Sequence, residues 1–266
     1  MREVWSSGIL PTGGLDEPAT WRIGVSNSTA RAEIARHRDD DRLVRKPVER
    51  GHVEEKRIPS LLLGVLLAQV EEMMGRRSLI MLLRQADLAE YIDAPPPIDE
   101  TPSITVEQYS TLLAQVYGIF GARGARPIFL RGGRFSAAEI RRQRPARFAV
   151  LGTALRLLPV AKRMEIVLDK LAEQGEELYG TPHLLDEEEN AFIIEMPDCP
   201  YCAEIARSHT GEGNAAQNMP ISRPVCHIPM AAVAEMMEWA TGQRHLVEEV
   251  ACIARGDPAC IIRVSK

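Results

Sequence analysis

A chain of 266 residues, 45% hydrophobic but only 5% aromatic, holds enough apolar material for one sizeable core or two small ones. Its formal net charge of −5 excludes an overall basic field of the kind that draws in nucleic acid. The longest apolar run, the eight residues 61–68, falls far short of the roughly 20 that a membrane-spanning helix needs.

Residues 1–54 are rich in Gly, Ser, Thr and charge and show little apolar periodicity. They read as a flexible leader with a short helix near Thr29–His37. The N-terminus carries no secretory apolar segment. Five cysteines in such a chain point to the reducing cytoplasm, where clustered cysteines are more often metal ligands than disulfides.

Order is expected from about Ile58. Residues 60–75 predict a helix capped by Ser60, stopped by Gly75 and mostly buried, because its apolar side is wide. A short helix follows at Ser78–Arg84. The proline-rich stretch 94–102 predicts a loop or extended linker. In the next helix Val106, Tyr109, Leu113, Val116, Tyr117 and Phe120 recur at helical spacing. Further segments run over 127–142, 148–158 and 159–178, the last opening on a proline suited to a first turn. Arg131-Gly-Gly-Arg134 reads as a basic turn. Residues 183–196 predict two short strands around an acidic turn, and Gly211–Asn214 a loop. A helix over 224–240, closed by Gly242, precedes a strand pair around Gly256-Asp-Pro, a turn signature. The fold class is α+β: a helical half, then a small antiparallel sheet with one inserted helix.

The chemistry concentrates near the C-terminus. Cys226 opens the inserted helix, and Glu249, Cys252 and Cys260 follow in EEVACIARGDPAC. Three soft thiolates and one carboxylate make a closed four-ligand shell for zinc, which is a structural site. The alternative is four buried residues without a metal. Glu249 weighs against it, because a carboxylate pointing into a core needs a cationic partner. Glu249 and Cys252 are three apart, which on a regular strand puts them on opposite faces. The site therefore requires a bulge, or a strand that ends before Cys252. Cys199-Pro-Tyr-Cys202 is a C-x-x-C, open between structural packing near the metal, a share in metal binding and a redox dithiol. His227 is a further candidate ligand, or simply a buried, hydrogen-bonded histidine.

The tail LVEEVACIARGDPACIIRV resembles the 4-vinyl reductase (V4R) domain family, whose members end in Glu-x-x-Cys…Gly-Asp-Pro-x-Cys. Asp198-Cys-Pro-Tyr-Cys202, Pro224-Val-Cys-His227, Trp239-Ala-Thr-Gly242 and the segment from Tyr117 to Ile128 resemble its middle and its helical half, so the likeness covers residues 55–266. It implies an α+β fold shared with vesicle-tethering subunits of the TRAPP type. It also implies zinc on Cys226, Glu249, Cys252 and Cys260, a buried pocket for a hydrophobic or aromatic molecule, and frequent homodimers. Members include a proposed bacteriochlorophyll 8-vinyl reductase component and the sensing regions of phenol-responsive activators. Those activators also carry a nucleotide-hydrolysing domain, and no G-x-x-x-x-G-K-[ST] phosphate loop occurs in this sequence.

A self-sufficient reductase would need a hydride or electron source, and no strand–G-x-G-x-x-G–helix unit is present. The reading is a zinc-stabilised module that holds a hydrophobic ligand, with a (bacterio)chlorophyll-pathway tetrapyrrole as the leading class. The alternatives are a vinyl reductase subunit supplied with electrons by a partner, and a dimeric assembly protein. Candidate pocket walls are Phe129, Phe135, Phe148, Leu151, Leu155, Met164, Met236 and Trp239. Arg126, Arg131 and Arg134 are placed to meet a ligand carboxylate.

Overall fold

The computed structural model describes residues 55–210 and 221–266; the leader expected at 1–54, the short helix expected within it and the loop expected at 211–214 lie outside them. The helical half begins with β1 (Arg57–Pro59), paired antiparallel to β2 (Pro102–Thr105). α1 (Ser60–Met74) buries Leu61, Leu63, Leu66, Leu67 and Val70, as its wide apolar side requires. Ser60 does not cap it. Pro59 holds the cap position, and the Ser60 hydroxyl instead accepts from Thr101 Oγ1 at 3.2 Å. Gly75, at φ 84°, ends α1, and α2 (Arg76–Gln85) follows directly.

α3 (Val106–Gln143) starts with a reciprocal cap: Thr105 Oγ1 accepts from the Gln108 backbone, and Gln108 Oε1 accepts from the Thr105 backbone. It breaks at Gly121, whose φ of 65° only glycine adopts cheaply. The Arg131-Gly-Gly-Arg134 segment is helical, not a turn. The reason is a close helix crossing: a Cβ on Gly133 would sit 2.2 Å from the Ile228 carbonyl oxygen. α4 (Pro145–Leu155) opens on its proline, and α5 (Val160–Tyr179) ends at a left-handed Gly180.

The second half is a four-stranded antiparallel sheet. β3 (Leu184–Glu188), β4 (Ala191–Met196), β5 (Val247–Ala251) and β6 (Cys260–Ser265) are ordered β3-β4-β6-β5. Two helices are inserted between β4 and β5, where the sequence predicts one: α6 (Ala203–Thr210) and α7 (His227–Thr241). The architecture is α+β. One core packs Leu63, Leu66, Tyr109, Leu112 and Phe129 among the first helices. The other joins sheet and helices through Met164, Phe192, Ile194, Met237 and Ile262, and all five cysteines belong to it. Burial of each large side chain in these cores stabilises by about 1.5–3 kcal/mol. Among the described residues, no helix is long and apolar enough to cross a membrane.

Candidate metal centre

Four separate pieces of chain deliver the cysteines to one place. Cys199 and Cys202 lie in the connection between β4 and α6. Cys226 is the residue before α7, Cys252 directly follows β5, and Cys260 begins β6. All five are free thiols, each no more than 1% exposed. Cys199 Sγ lies 3.4 Å from Cys226 Sγ, Cys202 Sγ 3.3 Å from Cys260 Sγ, and Cys226 Sγ 3.6 Å from Cys260 Sγ.

The spacing problem at Glu249 and Cys252 is met in both foreseen ways. The β5–β6 register slips between Glu249 and Ala251, and β5 ends at Ala251, one residue before Cys252. Glu249 and Cys252 thereby reach the same cluster. Cys226, Glu249, Cys252 and Cys260 present donor atoms all within 4.8 Å of one another. So do Cys199, Cys202, Cys226 and Cys260.

The turn between Cys252 and Cys260 is itself built. Gly256 takes φ 91°, and Asp257 Oδ2 accepts from the Cys252 backbone N–H at 2.9 Å and from Arg255 Nε at 2.8 Å. Arg255 also donates to the Val250 carbonyl at the slipped end of β5. The Ile253 N–H points at Cys260 Sγ, 3.3 Å away. The C-x-x-C turn is clamped from outside the cluster. Ser110 Oγ on α3 donates to the Pro200 carbonyl at 2.5 Å, and the Tyr201 hydroxyl donates to Tyr179 at the end of α5 at 2.9 Å. Asp257, Arg255, Ser110 and Tyr201 hold the turns that carry the cysteines; the sequence marked Asp257 through the Gly-Asp-Pro turn and Tyr201 through the C-x-x-C, but carried no signal for Arg255 or Ser110.

The electrostatics ask for a cation. Glu249 Oε2 accepts from the Cys226 N–H at 2.7 Å, but Oε1 is buried without a partner. Burial, and then the neighbouring Cys252, push the Glu249 carboxyl well above the usual carboxylate range. Burial likewise pushes the Cys226 thiol well up. A soft or borderline divalent ion reverses both tendencies by pairing with the ionised forms, and the donor set fits one. Such an ion would tie the start of α7 to β5 and β6. His227 belongs to neither donor set. Burial, with Arg126 nearby, lowers its pKa to about 4, so it is neutral near pH 7, and its Nδ1 is buried without a partner.

The expected pocket residues do not share one wall. Phe148 and Trp239, in edge-to-face contact with ring centroids 5.1 Å apart, line an open cleft of about 550 Å³ with Arg141, Arg142, Gly152 and Arg156. Leu155, Met164 and Met236 are buried in the sheet-side core, with Leu151 packed against it. Phe129 is in the helical core. Phe135 lies under the Arg131 guanidinium, which also binds Gln69 and Glu72. Arg126, Arg131 and Arg134 are on α3 and are not among the residues lining the cleft.

No family model matches the chain, and no curated protein matches it. Solved structures do. The phenol-responsive sensory domain of the transcription activator PoxR with phenol is 19% identical over 62% of this chain and 77% of its own, at a TM-score of 0.40. An H-NOX protein from S. oneidensis in the Fe(II)NO state is 10% identical over 78% of this chain and 98% of its own, at 0.46. An unliganded Fe(II) H-NOX mutant from K. algicida is 9% identical over 79% and 96%, at 0.45.

Proposed function

We propose that this chain is a metal-stabilised small-molecule-binding domain of the 4-vinyl reductase type, with zinc held by Cys226, Glu249, Cys252 and Cys260. One observation carries the metal. Glu249, whose Oε1 is buried without a hydrogen-bond partner, offers a carboxylate donor together with three buried sulfurs, and the four donor atoms lie within 4.8 Å of one another. An apolar core has no use for that arrangement, whereas zinc satisfies all four donors at once. Zinc here is structural, and its binding free energy is folding free energy.

The ligand reading rests on the cleft between α3, α4 and α7. Phe148 and Trp239 offer flat apolar surface, and Arg156 offers charge for a carboxylate. That combination suits a flat aromatic acid, with a tetrapyrrole as the leading class. Arg141 and Arg142 are held in place by Glu235 and Glu139. A reductase that places Cys199 and Cys202 at the substrate is less well supported, because both sulfurs are buried against Cys226 and Cys260.

Native mass spectrometry of the purified chain, followed by titration with a dicarboxylic porphyrin, tests both halves. The expected record is a zinc-bearing mass and micromolar porphyrin binding that Trp239→Ala weakens. A chain without metal removes the zinc. Absence of porphyrin binding at tens of micromolar removes the ligand.

A further inference from the structure

The metal cluster contains more donors than one ion can use. Six side chains converge, and they fall into two groups of four, {Cys199, Cys202, Cys226, Cys260} and {Cys226, Glu249, Cys252, Cys260}. The groups share Cys226 and Cys260. A single tetrahedral ion in the second group leaves Cys199 and Cys202 unused, their sulfurs 3.4 and 3.3 Å from two ligands. A single ion in the first group leaves Glu249 and Cys252 unused, with Glu249 Oε1 buried and without a hydrogen-bond partner. Neither choice satisfies the cluster.

We propose that the cluster is a binuclear site for two zinc-like divalent ions, bridged by the Cys226 and Cys260 thiolates. Cys199 and Cys202 are terminal ligands of one ion, and Glu249 and Cys252 of the other. The proposal rests on the zinc reading above and adds a second ion. A thiolate sulfur has lone pairs enough to join two soft or borderline ions. Sulfurs around one tetrahedral zinc stand about 3.8 Å apart when each Zn–S bond is about 2.3 Å. The observed sulfur separations of 3.3, 3.4 and 3.6 Å are near that spacing before any ion draws on them.

Charge is compatible with a second ion. With all six donors ionised by metal binding, five thiolates and one carboxylate carry more negative charge than one divalent ion offsets, and two ions offset most of it. The remainder meets the Ile253 N–H directed at Cys260 Sγ and the start of α7 at Cys226. The first group is also preorganised. The C-x-x-C turn is pinned by Ser110 to the Pro200 carbonyl and by Tyr201 to Tyr179, so both sulfurs are held at the shared pair by contacts that involve no cysteine side chain.

The test is metal stoichiometry of the full chain produced in zinc-replete medium, read by elemental analysis and native mass spectrometry. Two zinc ions per chain are expected, falling to one in the Cys199→Ser, Cys202→Ser double variant. Chain produced with cobalt in place of zinc reads the bridge directly. Its paramagnetic resonance signal per cobalt should collapse when the second ion loads, because ions joined through thiolates couple. One zinc per chain in the wild type, unchanged in the double variant, overturns the second ion and leaves the single-zinc reading standing. No metal overturns both. Two cobalt ions with additive signals overturn the bridging, and iron with acid-labile sulfide overturns the binuclear site altogether. The wild-type measurements decide the matter even if the double variant fails to fold.

Discussion

Glu249 and Cys226, 23 residues apart in the chain, are joined by a hydrogen bond from the Cys226 N–H to Glu249 Oε2 at 2.7 Å. One carboxylate oxygen therefore fixes the entry of α7 against β5, and the other remains buried without a hydrogen-bond partner. The bond explains why a glutamate suits this position. An aspartate is one methylene shorter, and it could not both hold that backbone and reach the cluster from β5.

Glu249→Gln changes one atom and keeps an oxygen for the Cys226 N–H. Its cost therefore isolates the anionic ligand. Metal affinity should fall by more than the roughly 10–100-fold lost when a residue merely hydrogen-bonded to a ligand is removed. Competition with a chromophoric chelator measures it. Unchanged affinity would mean that Glu249 is a buried cap and no ligand.

Cys260 touches both Cys202 and Cys226 and belongs to both donor groups. Cys260→Ala should strip the metal and lower the melting temperature of the whole domain. A buried cysteine without metal would cost only about 1 kcal/mol when truncated by one sulfur. Loss of structural zinc removes a large part of the roughly 10–16 kcal/mol seen in small zinc domains. Melting of the wild type with added zinc or with a chelator supplies the control. The transition should rise with free zinc and fall with chelator, as binding to the folded state alone demands. A melting curve indifferent to both would remove the structural role.

The tail of the site was readable in the sequence because its constraint is local. Glu249 and Cys252, three positions apart, cannot share a face of a regular strand, so a slip or a strand end was required, and both occur. The helix boundaries at Gly75 and Gly242 were readable for a similar reason, since each glycine sits at positive φ. The membership of Cys199 and Cys202 in the same cluster was not readable. It depends on contacts 27 and 58 residues away, and a C-x-x-C spacing contains no information about its distant partners. Arg131-Gly-Gly-Arg134 misled because two glycines signal a turn locally, while here Gly133 serves the crossing of α3 and α7. The β1–β2 pair, of three and four residues, is too short to show any period.

His183 gives the domain a pH dependence of known sign. Burial lowers its pKa below the ordinary histidine value, against the opposing pull of the Thr181 carbonyl at Nδ1 and of Glu176. The unfolded chain therefore takes up a proton near pH 6.5, while the folded chain still resists it. Stability should decline as the pH falls below about 6.5 and level off once the lower folded value is passed. His183→Gln should flatten that part of the curve relative to wild type, as read from urea midpoints between about pH 7 and pH 5. The difference between the two slopes isolates this group from acid loss of metal, which both proteins share. Parallel slopes would mean that His183 titrates alike in both states.

Gly132 and Gly133 are neighbours on α3 with opposite surroundings, and they make a paired test of the helix crossing. A Cβ on Gly132 meets nothing within 4 Å. Gly132→Ala therefore changes only helix propensity, and should stabilise by up to about 1 kcal/mol. A Cβ on Gly133 would lie 2.2 Å from the Ile228 carbonyl oxygen and 3.0 Å from Ala231 Cβ. Backbone on one side and a short side chain on the other cannot swing aside, so α7 must move. Gly133→Ala should cost about 1–3 kcal/mol, the usual penalty for overpacking, despite the same propensity gain. Because Cys226 is the residue from which α7 starts, the displacement should also reach the metal. Gly133→Ala should bind zinc more weakly than wild type, and Gly132→Ala should bind it equally well. Denaturant midpoints and chelator competition on the two variants decide this. Equal stability in both would mean that α3 and α7 do not approach as closely as the Gly133–Ile228 contact requires.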